Sequence, residues 1–524
     1  EHPLASITDE LRSLDTAARA ALGDDAAADE VDPAQLLRRQ IARRCFYGLD
    51  INPMAVELAR LAIWITTFVP GLPMSTLDHN LVAANSLTGV GTIEEALGVL
   101  EPGSQGGQLS VYSEAITSEL DAAKALLMDV ANSTEATKAD AHRNAEAIRD
   151  AQISAEPAKL LFDAVVATRL KLIDPTTVIG VNELQRLAKD PDIAAAVSTA
   201  DPAHLPYLFP EVFLRDNPGF DVILGNPPWE KLKVETHAWW AVRFPGLRSM
   251  SQKDKNAAIE IYIRERPDLY TAYLNELAQT KATAALISAG PYPGIGAGDI
   301  DLMAAFAWRF LHGIRFGGTI GVVLPRTAFA GSACVQWRRE IMRDGNITDL
   351  TMVVNNRQWV FPAIHPQYAV AALSYRRCGG GERTVALQGP YNSREAFLAG
   401  TGDPSAVATF PADEVLGWTD TAAFPLLPDA ASLPVFTQMR SHPSFGNSEG
   451  VWKFRPHRET DTTKEKQYFD FNLESPAEDH TLPVLTGASF NLWDPDFGEP
   501  YADANPQEIE DLLQSRRQRQ IRLA

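Results

Sequence analysis

Asn226-Pro227-Pro228-Trp229 follows an apolar run, Asp221 to Leu224, that reads as a buried strand. Such a strand end presents an amide oxygen, a carbonyl held by proline, a stiff Pro-Pro backbone and an aromatic ring. That set suits transfer of a group to an amine conjugated with a ring, as in adenine N6 or cytosine N4. The lone pair of such a nitrogen is delocalised, so the amine is a weak nucleophile. Acceptors on its two hydrogens, the Asn226 side-chain oxygen and the Pro227 carbonyl, would localise the pair, and the prolines fix both before substrate arrives. No separate general base is required. Trp229 would stack on a base turned out of the duplex, a contact worth about 1–3 kcal/mol per base. The tetrad also reads more plainly, as a rigid turn with Trp229 plugging the core.

A second candidate is Gly48-Leu49-Asp50-Ile51-Asn52-Pro53. Pro53 suits a first helical turn, and Ala55, Leu58, Leu61, Ala62 and Ile65 recur at helical spacing, so the segment predicts strand, turn and amphipathic helix. A carboxylate at a strand's carboxyl end can accept both hydroxyls of a nucleoside ribose. An Asp there can equally cap the helix.

The elements that must position these residues follow an α/β pattern. Residues from about Glu114 to Asp201 are rich in Ala, Glu, Asp and Lys and predict a helical insertion, with Glu135 placed to close a capping box on Asn132. After the tetrad come a helix over 301–316, a strand over 319–325, a helix over 334–343, and strands over 347–354 and 368–377. This alternation predicts a largely parallel sheet, with the last two strands antiparallel at its edge. Beyond Cys378-Gly379-Gly380-Gly381 the pattern loosens. The resulting division is 1–110, 111–205 (the insertion), 206–378 and 379–524.

Composition limits what the chain can be. Of 524 residues, 47 are Lys or Arg and 67 Asp or Glu, a net charge of −20, which argues against a wholly nucleic-acid-binding surface but leaves room for a local basic groove. The arginine clusters at Arg38 to Arg44 and Ser515 to Arg522 read first as solvated helix faces. Three dispersed cysteines, Cys45, Cys334 and Cys378, exclude a disulfide framework or a cysteine-rich zinc site, and ten histidines without paired spacing give no metal site. With no apolar run of membrane-spanning length and no secretory signal at residues 1–15, the expectation is a cytoplasmic protein without a membrane partner. Because residue 1 is Glu, the chain is expected to be part of a longer polypeptide.

The two motifs together resemble the amino-methyltransferase core of restriction-modification adenine methylases of the type IIG, Eco57I-like kind, with relatives in phage defence. The resemblance covers roughly Arg38 to Arg377. It implies a Rossmann-like α/β fold with a helical insertion and a partial C-terminal recognition region, S-adenosylmethionine as methyl donor, and adenine N6 in double-stranded DNA as acceptor, with other subunits of a defence system as possible partners. Asp50 matches the ribose ligand and Ile51 the apolar residue packed on the cofactor adenine. Asn85 stands where relatives often carry Asp against the adenine amine. Phe306 resembles the wall behind that adenine and Phe361 the ring packing on the target base, although both also fit core packing. The Gly-rich loop expected before Asp50 is missing, since Gly23 is the only glycine ahead of Gly48. Residues Leu482 to Tyr501 resemble the passage into a target-recognition domain. Rival readings are a catalytically silent DNA-binding subunit, or methylation of cytosine N4 or another amine or amide.

Overall fold

The computed structural model describes residues 3–23, 31–102, 111–178, 180–296, 300–427, 429–442, 460–461, 465–471, 482–486, 489 and 498–523. They form two compact units, 1–436 and 437–524.

The first unit begins with helices α1 (Pro3–Leu22) and α2 (Pro33–Cys45), then strand β1 (Gly48–Asp50), helix α3 (Pro53–Thr66) and strand β2 (Leu81–Ala83). β1 and β2 pair in parallel as a separate two-stranded sheet. The amphipathic face predicted for α3 is not the face it buries. Val56, Ala59 and Ile63 pack on Leu77 and Leu81, while Leu58, Leu61 and Ile65 point outward. Two strands of three residues offer too narrow a platform to cover both flanks of a fourteen-residue helix.

The insertion is helical as the composition predicts: α4 (Ile93–Leu100), α5 (Val111–Asn132), α6 (Lys138–Arg169), α7 (Val181–Ala188) and α8 (Pro191–Thr199), around a core that includes Leu120, Leu161, Phe162 and Val165. The box that starts α6 is formed by Thr137 and Asp140, not by Asn132 and Glu135. Glu135 is buried instead, accepting from the Thr76 backbone and the Asn144 amide beside Arg39. The first arginine cluster is correspondingly not a purely solvated face. Arg39 is only 1% exposed, and Arg43 donates to the carbonyls of Val130, Ala131 and Ser133. Val130 and Ala131 lie in the last turn of α5 and Ser133 directly follows it, where helix carbonyls run short of donors, so a guanidinium there adds donors and favours the helix dipole.

Two short helices, α9 (Leu205–Leu208) and α10 (Pro210–Phe213), lead into β3 (Phe220–Gly225). After α11 (Thr236–Arg243), α12 (Gln252–Glu265), α13 (Pro267–Ala289) and α14 (Leu302–Gly313) come β4 (Ile314–Pro325), α15 (Thr327–Ala330), α16 (Val335–Asp344), β5 (Gly345–Val354), β6 (Ala369–Arg377), β7 (Thr384–Tyr391) and β8 (Ala408–Pro411). These strands make one sheet in the order β3-β4-β6-β5-β7-β8. It is mixed, not largely parallel: only β3–β4 and β5–β7 are parallel. β6 does run antiparallel to β5, but inside the sheet, between β4 and β5. The glycine turn after Cys378, with Gly380 and Gly381 at positive φ, leads into β7 and the sheet continues. The apolar sides of β4, β5 and β6 meet α14 and α16 in the main core.

The β1–β2 sheet and the six-stranded sheet share no ladder among the described residues. Their first strands nevertheless begin side by side, with the rings of Tyr47 and Phe220 5.7 Å apart over Phe209 and Phe213. β3 is thus an edge strand and not the buried strand its apolar run predicts; among the described residues its outward side is uncovered, with Val222 57% and Leu224 79% exposed. No helix of the described residues is long and apolar enough to cross a membrane.

The second unit contains strands β9 (Phe469–Asp470), β10 (Leu482–Val484) and β11 (Ala502–Ala504), antiparallel in the order β10-β11-β9, followed by a helix over Pro506–Leu523. Of the second arginine cluster, Arg516 pairs with Glu465. Much of the recognition-like passage, residues 487–488 and 490–497, lies outside the described residues.

A buried ion cluster holds the segment after β2 against α14. Glu95 lies 2.9 Å from Arg169 and 3.1 Å from Arg309, and it accepts from the Gly91 amide. Burial works against its charge, but Arg309, Arg169 and that amide outweigh burial and hold the carboxyl below its ordinary range. The Glu95 charge therefore contributes stability above the unfolded carboxylate range, and the contribution is lost as pH falls through the lower folded value. Glu95→Ala should destabilise the fold by about 3–5 kcal/mol, because it leaves two buried guanidinium groups without their counter-charge. A denaturant midpoint shift far below that size would contradict this role.

Candidate functional site

β3 delivers the tetrad as its own continuation. At its last residue a Cβ on Gly225 would come within 3.0 Å of the Phe310 ring, so glycine lets α14 lie close against the strand end. Pro227 is buried, whereas Asn226 is exposed and its side chain has no hydrogen-bond partner among the described residues. The amide is left open on a backbone that proline holds still. Trp229 is half-buried, with its indole Nε1 donating to the Val323 carbonyl at 3.4 Å. Its ring meets Phe361 edge-on, with centroids 5.4 Å apart and an interplanar angle of 86°. The structure thus brings Phe361, 132 residues downstream, to the tetrad.

The Phe361 loop owes its shape to a residue that sequence reasoning missed. Asn355 is fully buried at the end of β5, and its amide nitrogen donates to the carbonyls of Phe361 and Ile364. Its oxygen accepts from the amides of Val360 and Phe361. Between them Arg357 and Gln358 hold left-handed backbone, at φ 55° and 60°, a conformation that costs non-glycine residues energy and persists because its surroundings enforce it. The available signal was an Asn directly after the strand expected over 347–354, a residue suited to bonding its own turn.

The residues matched to a cofactor site divide. Asp50 ends β1 exposed; one carboxylate oxygen accepts from the Asn52 amide at 2.7 Å and the other has no hydrogen-bond partner among the described residues. Asn52, not Asp50, caps α3, through the Met54 amide. Ile51 is exposed beside Asp50. Asn85 is buried, its side-chain oxygen accepting from the Leu87 amide and its backbone pairing with Asp201 and Ala203. Phe306 is half-buried against the main core, 5.8 Å from Phe310. The residues fit a nucleoside at Asp50 and Ile51, whereas Asn85 and Phe306 serve packing first.

The segment after Asn85 is locked by close approach. A Cβ at Gly89 would fall 2.0 Å from the Ala203 carbonyl oxygen, and one at Gly91 1.9 Å from the Arg309 guanidinium, so neither position admits a side chain. The Val90 amide donates to Nδ1 of the buried His204, which puts the ring proton on Nε2, 3.0 Å from Asp163. Burial lowers the His204 pKa more than Asp163 raises it, so the imidazole is neutral. His312 is likewise structural, pushed down to about 4 by burial and by Arg309. Among the described residues no three His, Cys, Asp or Glu could hold a metal ion.

Residues 44–288 match the family model of the Eco57I restriction-modification methylase. The matched stretch contains Asp50, the helical insertion and the tetrad. No curated protein matches the chain. Of solved structures, a chain from the type I R-M system, studied for complex assembly and conformational transition, is 10% identical over 53% of this chain and 56% of its own, with a TM-score of 0.24. A modification subunit of a putative type I restriction enzyme from Vibrio vulnificus YJ016 is 11% identical over 82% of this chain and 98% of its own, at 0.25. The ATP-dependent type ISP restriction-modification enzyme LlaBIII, bound to DNA, is 11% identical over 83% of this chain and 26% of its own, at 0.17. The chain spans little more than half the length of the first of these.

Asn355→Ala should cost about 1–3 kcal/mol and speed hydrogen exchange at the Val360 and Phe361 amides, which lose their buried acceptor. Asn355→Asp keeps that acceptor and should retain more of the protection. Unchanged exchange in Asn355→Ala would show that the loop is held by other means.

Proposed function

We propose that the chain is a DNA methyltransferase that modifies adenine N6 at a specific site, in a restriction-modification or phage-defence setting. The observation that carries the reading is the open Asn226 amide on the rigid Pro-Pro turn, with Trp229 and Phe361 beside it. The family match over residues 44–288 supports it. S-adenosylmethionine, when bound, would supply an electrophilic methyl group.

The work of the protein's own residues follows from their chemistry. Asp50 offers its open carboxylate oxygen to the ribose hydroxyls, and Ile51 an apolar surface to the nucleoside base. A target base extruded from the duplex would pack against Trp229 and Phe361, which offsets part of the cost of unstacking it. Asn226 and the Pro227 carbonyl would then accept hydrogen bonds from the two amine hydrogens and localise the nitrogen lone pair toward the methyl group, whose bond to sulfur would break as its bond to nitrogen forms. Since both acceptors are fixed in advance, little reorganisation is needed at the moment of reaction. The amine proton leaves after transfer, when the nitrogen carries positive charge and is strongly acidic.

Asn226→Ala should abolish methyl transfer to DNA while leaving S-adenosylmethionine affinity within about twofold, since the amide acts only on the acceptor amine. Asp50→Ala should do the reverse, weakening cofactor binding in calorimetric titration. Full transfer activity in Asn226→Ala would overturn the mechanism.

A further inference from the structure

The chain leaves the catalytic tetrad through a narrow neck. The Leu232 amide donates to the Ile300 carbonyl at 2.8 Å and the Leu302 amide to the Glu230 carbonyl at 3.2 Å, while Lys231 and Asp301 form an antiparallel bridge. Everything from α11 to α13 is an excursion between these two strands. It begins two residues after Trp229 and returns at the start of α14.

The first part of the excursion has its own aromatic core. Trp240 is fully buried, Phe244 stacks on Tyr262 with centroids 3.8 Å apart and planes 6° from parallel, and Trp239 donates to Glu276 at 2.5 Å. Packing around Trp239 and Trp240 makes α11, α12 and the first half of α13 a rigid body. His237 bonds Asn256 at 2.7 Å and so pins α11 to α12.

One segment of this body is basic in an acidic protein. Residues 243–255 hold four cations, Arg243, Arg248, Lys253 and Lys255, against one anion, in a chain of net charge −20. The anion, Asp254, is engaged in the cap of α12 with Ser251. Arg243 lies over the Trp239 ring at 3.4 Å. Arg248 and Lys253 are exposed, Lys255 is partly so, and none of the three has an ion-pair partner among the described residues. Unpaired cations on a rigid platform suit a polyanion whose charges recur at fixed spacing, because little side-chain order must be bought beyond the platform itself.

We infer that Arg248, Lys253 and Lys255 form a phosphate-contacting surface that holds the duplex backbone beside the base taken by the Asn226 loop. The inference rests on the proposed action on DNA and adds the surface that docks it. The neck gives that surface its purpose: phosphates bound on the platform lie at a fixed offset from Trp229, so docking and base capture are set by one rigid connection. The remainder of the chain, more acidic still, repels the duplex elsewhere and steers it to this face.

The test is the salt dependence of binding. Affinity of the full chain for a fluorescein-labelled, unmethylated duplex is measured by anisotropy between about 50 and 200 mM salt. The same is done for R248Q/K253Q/K255Q and for K138Q/K171Q/K189Q, which removes equal charge from the helical insertion. Loss of three phosphate contacts should make the slope of log affinity against log salt shallower by about 2.7 in the first variant alone. Equal slopes in both variants, with the wild type binding the duplex, would overturn this inference and leave the methyltransferase reading standing. Absence of any duplex binding by the wild type would overturn both. Matched thermal melts of the three proteins separate lost contacts from lost fold.

Discussion

Two sheets that share no backbone ladder among the described residues rely on side chains to hold them together, and the Arg309 guanidinium carries much of that task. From α14 it donates to the Gly89 carbonyl at 2.9 Å, to Glu95 at 3.1 Å and to the Tyr292 hydroxyl at 2.5 Å. Tyr292 in turn donates to the Leu87 carbonyl, and Arg169 of the insertion shares Glu95. One buried cation therefore joins the segment after β2, the helical insertion and the helix that backs β3. The same helix places Phe310 on Gly225, directly ahead of the Asn226 loop. Burying so many charges is expensive unless each is paired and hydrogen-bonded, and here the partners converge from three parts of the chain.

On that frame the site is built from short, stiff pieces. Proline holds the Asn226 turn, and Asn355 holds the Phe361 loop through four hydrogen bonds. Neither depends on a long flexible side chain, which suits a reaction in which acceptors must be aimed before the amine arrives. The side chain left open, Asn226, is the one whose partner the proposal assigns to substrate.

The sequence showed the local features well, because proline, glycine and apolar periodicity act over a few residues. The strand before Asn226, the helical insertion and the strands of residues 314–377 were all legible in this way. Sheet order was not: the placement of β6 between β4 and β5 depends on pairings between distant segments, which leave no local trace. Arg39 and Arg43 carried helical spacing and charge, and nothing near them in sequence announced their partners some ninety residues away, Glu135 for Arg39 and the carbonyls at the end of α5 for Arg43. For the site, only the resemblance related Phe361 to the Asn226 loop, and the structure sets its ring against Trp229. The role of Asn85 was set by the turn it bonds, and Phe306 by the core it joins.

The central claim, that the Asn226 loop serves methyl transfer to a DNA base, is tested most directly by incubating the protein with unmethylated DNA and S-adenosylmethionine labelled in its methyl group, followed by mass spectrometry of the nucleosides. The account predicts label in N6-methyladenine. Label confined to N4-methylcytosine would contradict the assigned acceptor, and DNA that stays unlabelled while the protein binds the cofactor would contradict the claim itself.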